Sequence, residues 1–479
     1  MHANAGTSRS VRIWALALTS VASLMVALDT LVVSTALATI RLDLGASIEQ
    51  LEWTVNAYNL SLAVLLLPAA ALGDRFGRRR MFAAGLGLFT AASAACALAP
   101  GVDWLIAARA VQGAGAALVL SLALAIVSAS FPPERRGAAI GILEGITGVA
   151  VLAGPIVGGA ITEGIAWQWI FWLNVPIGAV AIPFVVARID ETFGGDTALD
   201  ARGLALVAGG ALGVVWALVR GNAAGWGSVE VIAAFAAGVA LLLGFVAWEL
   251  RAREPMLPMG FFRLRAFSAG NAGVFFLFAS LFAAVFFLAQ FLQTGLGYGP
   301  LDAGLRLLPW TATLFVVAPV AGALADRVGD RPLLAGGLTL QALGMAWVAL
   351  IADPQLAYVD LVVPLIVSGV GASMAIPPAA SSVVGAVAHD AVGKAAGANS
   401  MLRELGGVFG IALAVAVFSA VGSYGSAAAF ADGFAPAIGV SALLAGLGAL
   451  AGLGVPGRRR PAEVTGPQPI PAVETEGGG

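Results

Sequence analysis

Charge is scarce in this chain: of 479 residues, 11% are Asp, Glu, Lys or Arg, 59% are apolar, and the mean hydropathy is +0.94. No water-soluble protein of that length needs such a composition. Cysteine and histidine are nearly missing. The lone Cys96 excludes an intrachain disulfide and sits in an apolar run as a packing residue, while His2 and His389 are too few and too far apart for a metal site. Lysine occurs once. Its Gly393-Lys394 pair has Ala388 where a P-loop needs its first glycine and Ala395 where it needs Ser or Thr, which argues against ATP hydrolysis. The Gly113-Ala114-Gly115 run follows no strand, so a dinucleotide fold is rejected. No cofactor, metal or enzymatic chemistry is expected, and a net charge of −2 gives no sign of a nucleic-acid partner.

What the chain has is apolar length. A hydrocarbon core of ~30 Å takes about 20 apolar residues per helix, and about fourteen such stretches follow one another. They lie near 13–36, 51–72, 81–99, 103–129, 137–162, 168–187, 202–220, 229–250, 267–293, 301–325, 332–352, 357–382, 395–421 and 433–455. The expected fold is an all-α integral membrane protein. The first stretch is too long for a signal-peptide core and lacks a clear cleavage site, so it reads as a retained helix. Loops kept in the cytoplasm carry the excess of Arg and Lys; an N-terminus inside puts about twenty basic residues there and leaves only Arg41, Arg220 and Arg306 outside. An even helix count returns the C-terminus to the cytoplasm, where residues 456–479, rich in Pro, Gly and Glu, read as a disordered tail. The expected location is the cytoplasmic (inner) membrane, with both termini inside.

Between the second and third stretches stands GDRFGRRR, Gly73 to Arg80. Gly73 and Gly77 let the backbone reverse where a Cβ would clash. Asp74 is placed to cap or pair with the N-terminus of a neighbouring helix, while Arg75, Arg78, Arg79 and Arg80 stay with the anionic leaflet. A related run, Ala325-Asp326-Arg327-Val328-Gly329-Asp330-Arg331, follows a later helix end, and the same slide lays Ser368-Gly369-Val370-Gly371-Ala372 on Gln112-Gly113-Ala114-Gly115-Ala116. Two matches at corresponding helix numbers predict two six-helix pseudo-repeats with a substrate site between them. Two central helices, near 202–250, are left over. The expected division is a six-helix half at 13–187, a linker with the two extra helices at 188–265, a second half at 266–455, and the tail.

The Gly-Asp-Arg-x-Gly loop resembles the loop between helices 2 and 3 of major facilitator superfamily transporters. Further motifs narrow the resemblance to the fourteen-helix drug:proton antiporters of that superfamily. Helix 1 reads LDTLVVSTAL, with Asp29 where that family carries an acid and Ser34 or Thr35 in place of its usual Asn; helix 4 carries Arg109-Ala110-Val111-Gln112-Gly113-Ala114-Gly115. Helix 5 ends in Gly154-Pro155-Ile156-Val157-Gly158-Gly159, similar to the antiporter motif, with Ala150 where a further Gly is common. Trp167 to Gly178, WQWIFWLNVPIG, departs from the family by Gln168 for its usual Arg, and Gln290 to Gly304 looks like its helix 9 to 10 connection. The resemblance covers nearly the whole chain and implies proton-coupled efflux of amphiphilic, often cationic drugs or antibiotics by alternating access.

The residues themselves suggest roles. Small residues at Gly113, Gly115, Gly154, Gly158 and Gly159 let helices approach closely, and Pro155 removes a helical hydrogen bond; together they make a bent seam, although packing alone also selects glycine. Charges inside a membrane are costly and mark candidate function. Asp29 and Arg109 both lie ~10 Å from the outer ends of their helices and could face each other, either as a proton-sensitive switch or as a static ion pair. Glu144 on helix 5 and Glu404 near the middle of helix 13 are further proton-coupling candidates; Glu144 has the alternative of snorkelling to the interface, and Arg403 and Glu404, adjacent in sequence, should serve different faces. Trp53, Asn56, Tyr58, Gln112, Trp310 and Asn399 are candidates for lining a central cavity, with packing as the alternative for each. The expected partners are protons, the bilayer and a small-molecule drug or metabolite. Rival functions are export of one metabolite, antibiotic or amino acid, and a membrane sensor or scaffold that transports nothing.

Overall fold

The computed structural model describes residues 9–194, 200–253, 255–387 and 392–457, so residues 458–479 of the expected tail, and His389, lie outside the described residues. Among the described residues every regular element is helical. The first half holds α1 (Arg9–Leu44), α2 (Ile48–Phe76), α3 (Arg78–Ala97), α4 (Val102–Ser130), α5 (Pro133–Gly164) and α6, which is broken at Leu173 into Trp169–Trp172 and Asn174–Arg188. Two more follow, α7 (Ala201–Ala224) and α8 (Val229–Glu249). The second half holds α9 (Arg265–Gln290), α10 in the pieces Pro300–Arg306, Leu308–Thr311 and Thr313–Val328, α11 (Asp330–Ile351), α12 (Tyr358–Val384), α13 (Val392–Val421) and α14 (Ala427–Leu453). Thirteen spans among the described residues are long and apolar enough to cross a membrane, and α5, 32 residues long, completes the expected fourteen helices. Several run past the expected limits. At 1.5 Å per residue the 36 residues of α1 reach ~54 Å, well beyond a hydrocarbon core, because its ends carry Arg12 and Arg41 into the polar layers.

The pseudo-repeat is visible in the packing. In the first half α1 packs on α5 and α6, α4 on α2 and α3, and α3 on α6; adding eight to every number gives the neighbours in the second half. The glycines that the sequence aligned occupy equivalent contacts. Gly113 meets the Tyr58 carbonyl of α2 and Gly369 the Trp310 carbonyl of α10, while Gly115 lies on Gly85 and Phe89 of α3 and Gly371 on Gly337 and Gln341 of α11. The sharp reversals correspond too: Gly77 (φ +104°) alone separates α2 from α3, and Gly329 (φ +88°) alone separates α10 from α11. Only glycine takes those values without strain.

The two extra helices pack against each other, and α7 also lies on α2 and α13, one helix from each half. Apolar side chains of α8 such as Val229, Ile232 and Leu243 remain exposed, as a lipid-facing surface requires. The buried core is uneven along the bundle. At the end away from the arginine-rich loops one cluster joins both halves, with Val32, Ile40 and Phe171 beside Phe287, Phe291 and Phe434. Toward the arginine-rich end each half has its own cluster, around Phe82 and Leu122 in the first and Leu334 and Leu338 in the second, while a further cluster links α2, α7 and α13. The halves therefore meet most broadly at the end opposite the basic loops, and toward the basic end they meet along α2 and α13.

A methyl group at Gly113 must displace backbone of α2, whereas one at Gly439 meets open space. Gly113→Ala should therefore cost about 1–3 kcal/mol, seen as a lower melting temperature of the purified protein, and Gly439→Ala should leave it unchanged or slightly raised.

Candidate functional site

The most buried charges lie within the first half. Asp29 of α1 and Arg109 of α4 have side chains 1% exposed and form an ion pair through Oδ2 and Nη1. Asp29 Oδ1 accepts from Gln112 Nε2 at 2.9 Å and from Asn174 Nδ2 at 2.8 Å. All three partners are donors, which suits the acceptor-only ionised carboxylate. Arg109 in turn donates Nη1 to Gln112 Oε1 (2.8 Å) and Nε to the Thr54 carbonyl (3.2 Å), and its guanidinium lies 4.0 Å from the Tyr58 ring centroid. The geometry follows from the helices. Gly113 brings α4 against α2, setting Arg109 over Tyr58, and the break in α6 at Leu173 turns Asn174 toward α1.

Asn174 and Ser93 went unassigned in the sequence. Asn174 Nδ2 also donates to Ser93 Oγ at 3.0 Å, and Ser93 Oγ donates to the Phe171 carbonyl at 2.9 Å, so α1, α3, α4 and α6 share one polar network. The signal was an amide inside the WQWIFWLNVPIG segment, where an unpaired polar group is costly. Cys96 is buried as expected, and its thiol also donates to Gln112 Oε1 at 3.6 Å.

The six cavity candidates are not brought together. Tyr58 and Gln112 belong to the ion-pair network, Trp53 packs on Trp216 of α7 (6.0 Å), Trp310 is in the core joining the halves, and Asn399 donates to Asn271 of α9 at 3.2 Å. Asn56 is buried on α2 beside Glu52. Arg403 and Glu404 do not part company as adjacency suggested: Arg403 is long enough to curl back, and its Nε lies 3.0 Å from Glu404 Oε1. Glu404 is 6% exposed and is not an unpaired carboxylate. Glu144 lies on α5, and its side chain is outside the described residues.

In the loop motif the reversal falls at Gly77 alone, since Gly73 lies within α2. Gly73 is buried against Leu122, so a larger residue there would push α4 away. Of the two alternatives for Asp74, capping and pairing, the structure has the second: its carboxylate lies 2.7 Å from the side chain of Arg78, the first residue of α3, and its carbonyl accepts from Gly194 N. The chain after α6 supplies the other partners, because Thr192 O accepts from Arg78 N and Glu191 takes Arg79 N at 2.9 Å with Arg79 and Arg80 side chains at 3.5 Å. Arg75 is exposed. These polar contacts tie the α2–α3 turn to itself or to the start of the linker just after α6.

The antiporter-like glycines sit where the halves meet. Gly154 and Gly158 lie on Leu31, Val32 and Thr35 of α1, Gly159 lies on Pro300 and Leu301 of α10, and Pro155 presents its carbonyl to Gly304. Three cross-half bonds reinforce that closure: Gln293 Nε2 to Thr35 O (2.9 Å), Leu301 N to Glu163 Oε2 (3.0 Å), and Arg41 stacked 4.1 Å over the Tyr424 ring. Burial holds the Tyr424 phenol above its ordinary range, with Arg41 pulling the other way, so Tyr424 stays a neutral donor to Gln290.

Two six-helix repeats meeting along a glycine-lined seam, with a charged pair locked inside one of them, define a secondary transporter. Residues 19–411 match the Major Facilitator Superfamily, and the chain belongs to it. It is 34% identical over 407 residues to the tetracenomycin C resistance and export protein of Streptomyces glaucescens, covering 84% of this chain and 75% of that one. Identity is also 34% to the cephamycin export protein CmcT of Amycolatopsis lactamdurans (91% of each chain) and to the multidrug resistance protein Stp of Mycobacterium tuberculosis (83% and 74%). Among solved structures, a POT family transporter in complex with 5-aminolevulinic acid superposes with a TM-score of 0.68 at 14% identity, over 91% of this chain and 94% of that one, a likeness of fold.

Removing one member of a buried ion pair strands the other. Asp29→Asn should lose about 3–5 kcal/mol, measured as a lower melting temperature, and adding Arg109→Gln should restore most of it.

Proposed function

We propose that this chain exports amphiphilic, often cationic drugs or antibiotics across the cytoplasmic membrane in exchange for protons, by alternating access. The observation that carries the reading is the Asp29–Arg109 pair, a buried acid clasped by a cation and two amides inside one half of a two-repeat bundle. A proton reaching Asp29 cancels the charge that holds Arg109, so the clasp loosens and α1 and α4 can shift against each other. Each proton entering down a 100 mV potential supplies ~2.3 kcal/mol, close to a 50-fold concentration ratio for a neutral substrate. Residues 13–187 and 266–455 would rock about the α5–α10 seam, with 188–265 spanning them and both termini cytoplasmic. Glu144 and Glu404 stand as further coupling residues, and the Asp74–Arg78 turn as the element that braces the cytoplasmic side of the first half.

A second reading is a dedicated exporter of one antibiotic. It is favoured by the relatives whose names each carry a single compound, tetracenomycin C and cephamycin.

Inside-out vesicles given a pH gradient, acid inside, should accumulate substrate and stop when a protonophore is added. The Asp29→Asn, Arg109→Gln double variant separates coupling from scaffolding. It should regain most of the wild-type stability and accumulate nothing; recovery of transport together with stability would mark the pair as structural.

A further inference from the structure

Along α2 the residues Glu52, Asn56, Asn59, Ala63 and Leu67 follow one another at spacings of four, three, four and four, which places them in a single stripe of the helix. The part nearer the basic loops packs on the second half. Ala63 shares a buried cluster with Ala398, Met401 and Leu405 of α13, and Leu67 lies against Gly397. The stripe therefore faces the α2–α13 seam. Neighbouring faces are occupied, because Thr54 and Tyr58 meet Arg109 and Trp53 meets Trp216.

Toward the opposite end the stripe turns polar while its surroundings do not. Glu52, Asn56 and Asn59 have no exposed surface, and their one mutual bond runs from Asn56 Nδ2 to Glu52 Oε1 at 3.1 Å. Glu52 Oε2, Asn56 Oδ1 and both amide atoms of Asn59 have no hydrogen-bond partner. The α13 residues that continue the cluster, Val408 and Ala412, are apolar. Each unmet buried polar group costs about 1–3 kcal/mol, so four such atoms are poor components of a permanent seam. They make sense in a seam that parts. Basic residues nearby are already committed, Arg109 to Asp29 and Arg220 to Glu49 and Glu230, so among the described residues no arginine pairs with Glu52.

The geometry points to a cation-recognising strip on α2, exposed when the α2–α13 seam opens, in which Glu52 takes the charged nitrogen of an amphiphile and Asn56 and Asn59 take its hydrogen-bonding groups. This rests on the exporter reading above. A carboxylate and a cationic nitrogen attract strongly at membrane depth. Seven residues at 1.5 Å span ~10 Å, the length of a drug-sized molecule. The amides, each both donor and acceptor, tolerate many hydrogen-bonding patterns.

The test is transport by the purified protein in proteoliposomes under an imposed pH gradient, with ethidium as a cationic probe and chloramphenicol as a neutral one. Glu52→Gln and Asn59→Leu should each raise the ethidium KM at least about tenfold, one decade of affinity. In Glu52→Gln, Vmax and any chloramphenicol transport should be unaltered, and Glu52→Asp should keep most of the ethidium affinity; Asn59→Leu, which removes two unpaired buried atoms, should raise the melting temperature and weaken any chloramphenicol transport as well. An unchanged ethidium KM in Glu52→Gln, beside an active wild type, overturns the strip and leaves the exporter reading standing. A fall in Vmax at constant KM, or equal loss of both probes, also overturns it and assigns Glu52 to proton transfer. Wild-type protein that moves chloramphenicol but not ethidium excludes cation recognition, and wild-type protein that moves neither probe overturns both the multidrug reading and the strip and leaves the dedicated exporter.

Discussion

The structure depends on backbones coming close where lipid supplies no hydrophobic drive. In a bilayer each helix has already satisfied its own peptide groups, so helices associate through packing, and the tightest packing needs glycine. Gly113 and Gly115 fit α4 between α2 and α3, Gly154 and Gly158 fit α5 on α1, and Gly159 fits α5 on α10. The first two contacts build a half; the last joins the halves. Because α5 makes both kinds of contact, a small rotation of α5 moves the seam and α1 together. α1 carries Asp29, which ties the charged pair to the closure at the end opposite the basic loops.

That pair explains why so many polar residues are retained in the first half. An arginine with 1% of its side chain exposed cannot be left with one partner, and here it meets Asp29, Gln112, the Thr54 carbonyl and the Tyr58 ring, while Asn174 and Ser93 complete the acid's side. The desolvation of two charges is large, and only such a set of bonds offsets it. The same argument turns Glu52 into an exception. It is as deeply buried and has a single amide for company, so closure of α2 on α13 carries a penalty that the Asp29 clasp does not.

Helix number, the repeat and the family were legible because each rests on local signals: apolar runs of spanning length, glycines at repeated positions, and short motifs at helix ends. The Asp29–Arg109 encounter was legible as matching depth in two helices. Partners set by the tertiary path were not. Nothing near Asp74 in the chain announces Glu191, which arrives from beyond α6 to hold Arg79, and nothing in LNVPIG says that Leu173 breaks the helix and aims Asn174 at α1. Arg403 misled for a different reason. Adjacent residues on a helix diverge at Cβ, but arginine has enough rotatable bonds to return, so a rule about helix faces fails for long side chains.

The two repeats are alike in framework and unlike in charge. In the first half α1, α3 and α6 meet through Asp29, Ser93 and Asn174; their counterparts α9, α11 and α14 meet through Ser280, Gln341 and Ser441, with Gln341 Nε2 and Ser441 Oγ each 2.9 Å from Ser280 Oγ. The slide that aligns Gly113 with Gly369 puts Leu365 opposite Arg109 and Ser368 opposite Gln112, so the second half keeps the polar junction of three helices and drops its charges. A neutral junction holds helices together whatever the pH. On the proton-coupled reading proposed above, a charged junction responds to a proton: if both halves carried the pair, protonation would loosen both together, whereas with the charge confined to the first half the second would serve as the fixed frame. The acids of the second half then fall outside this junction, as Glu404 does, on the seam helix α13 beside Arg403.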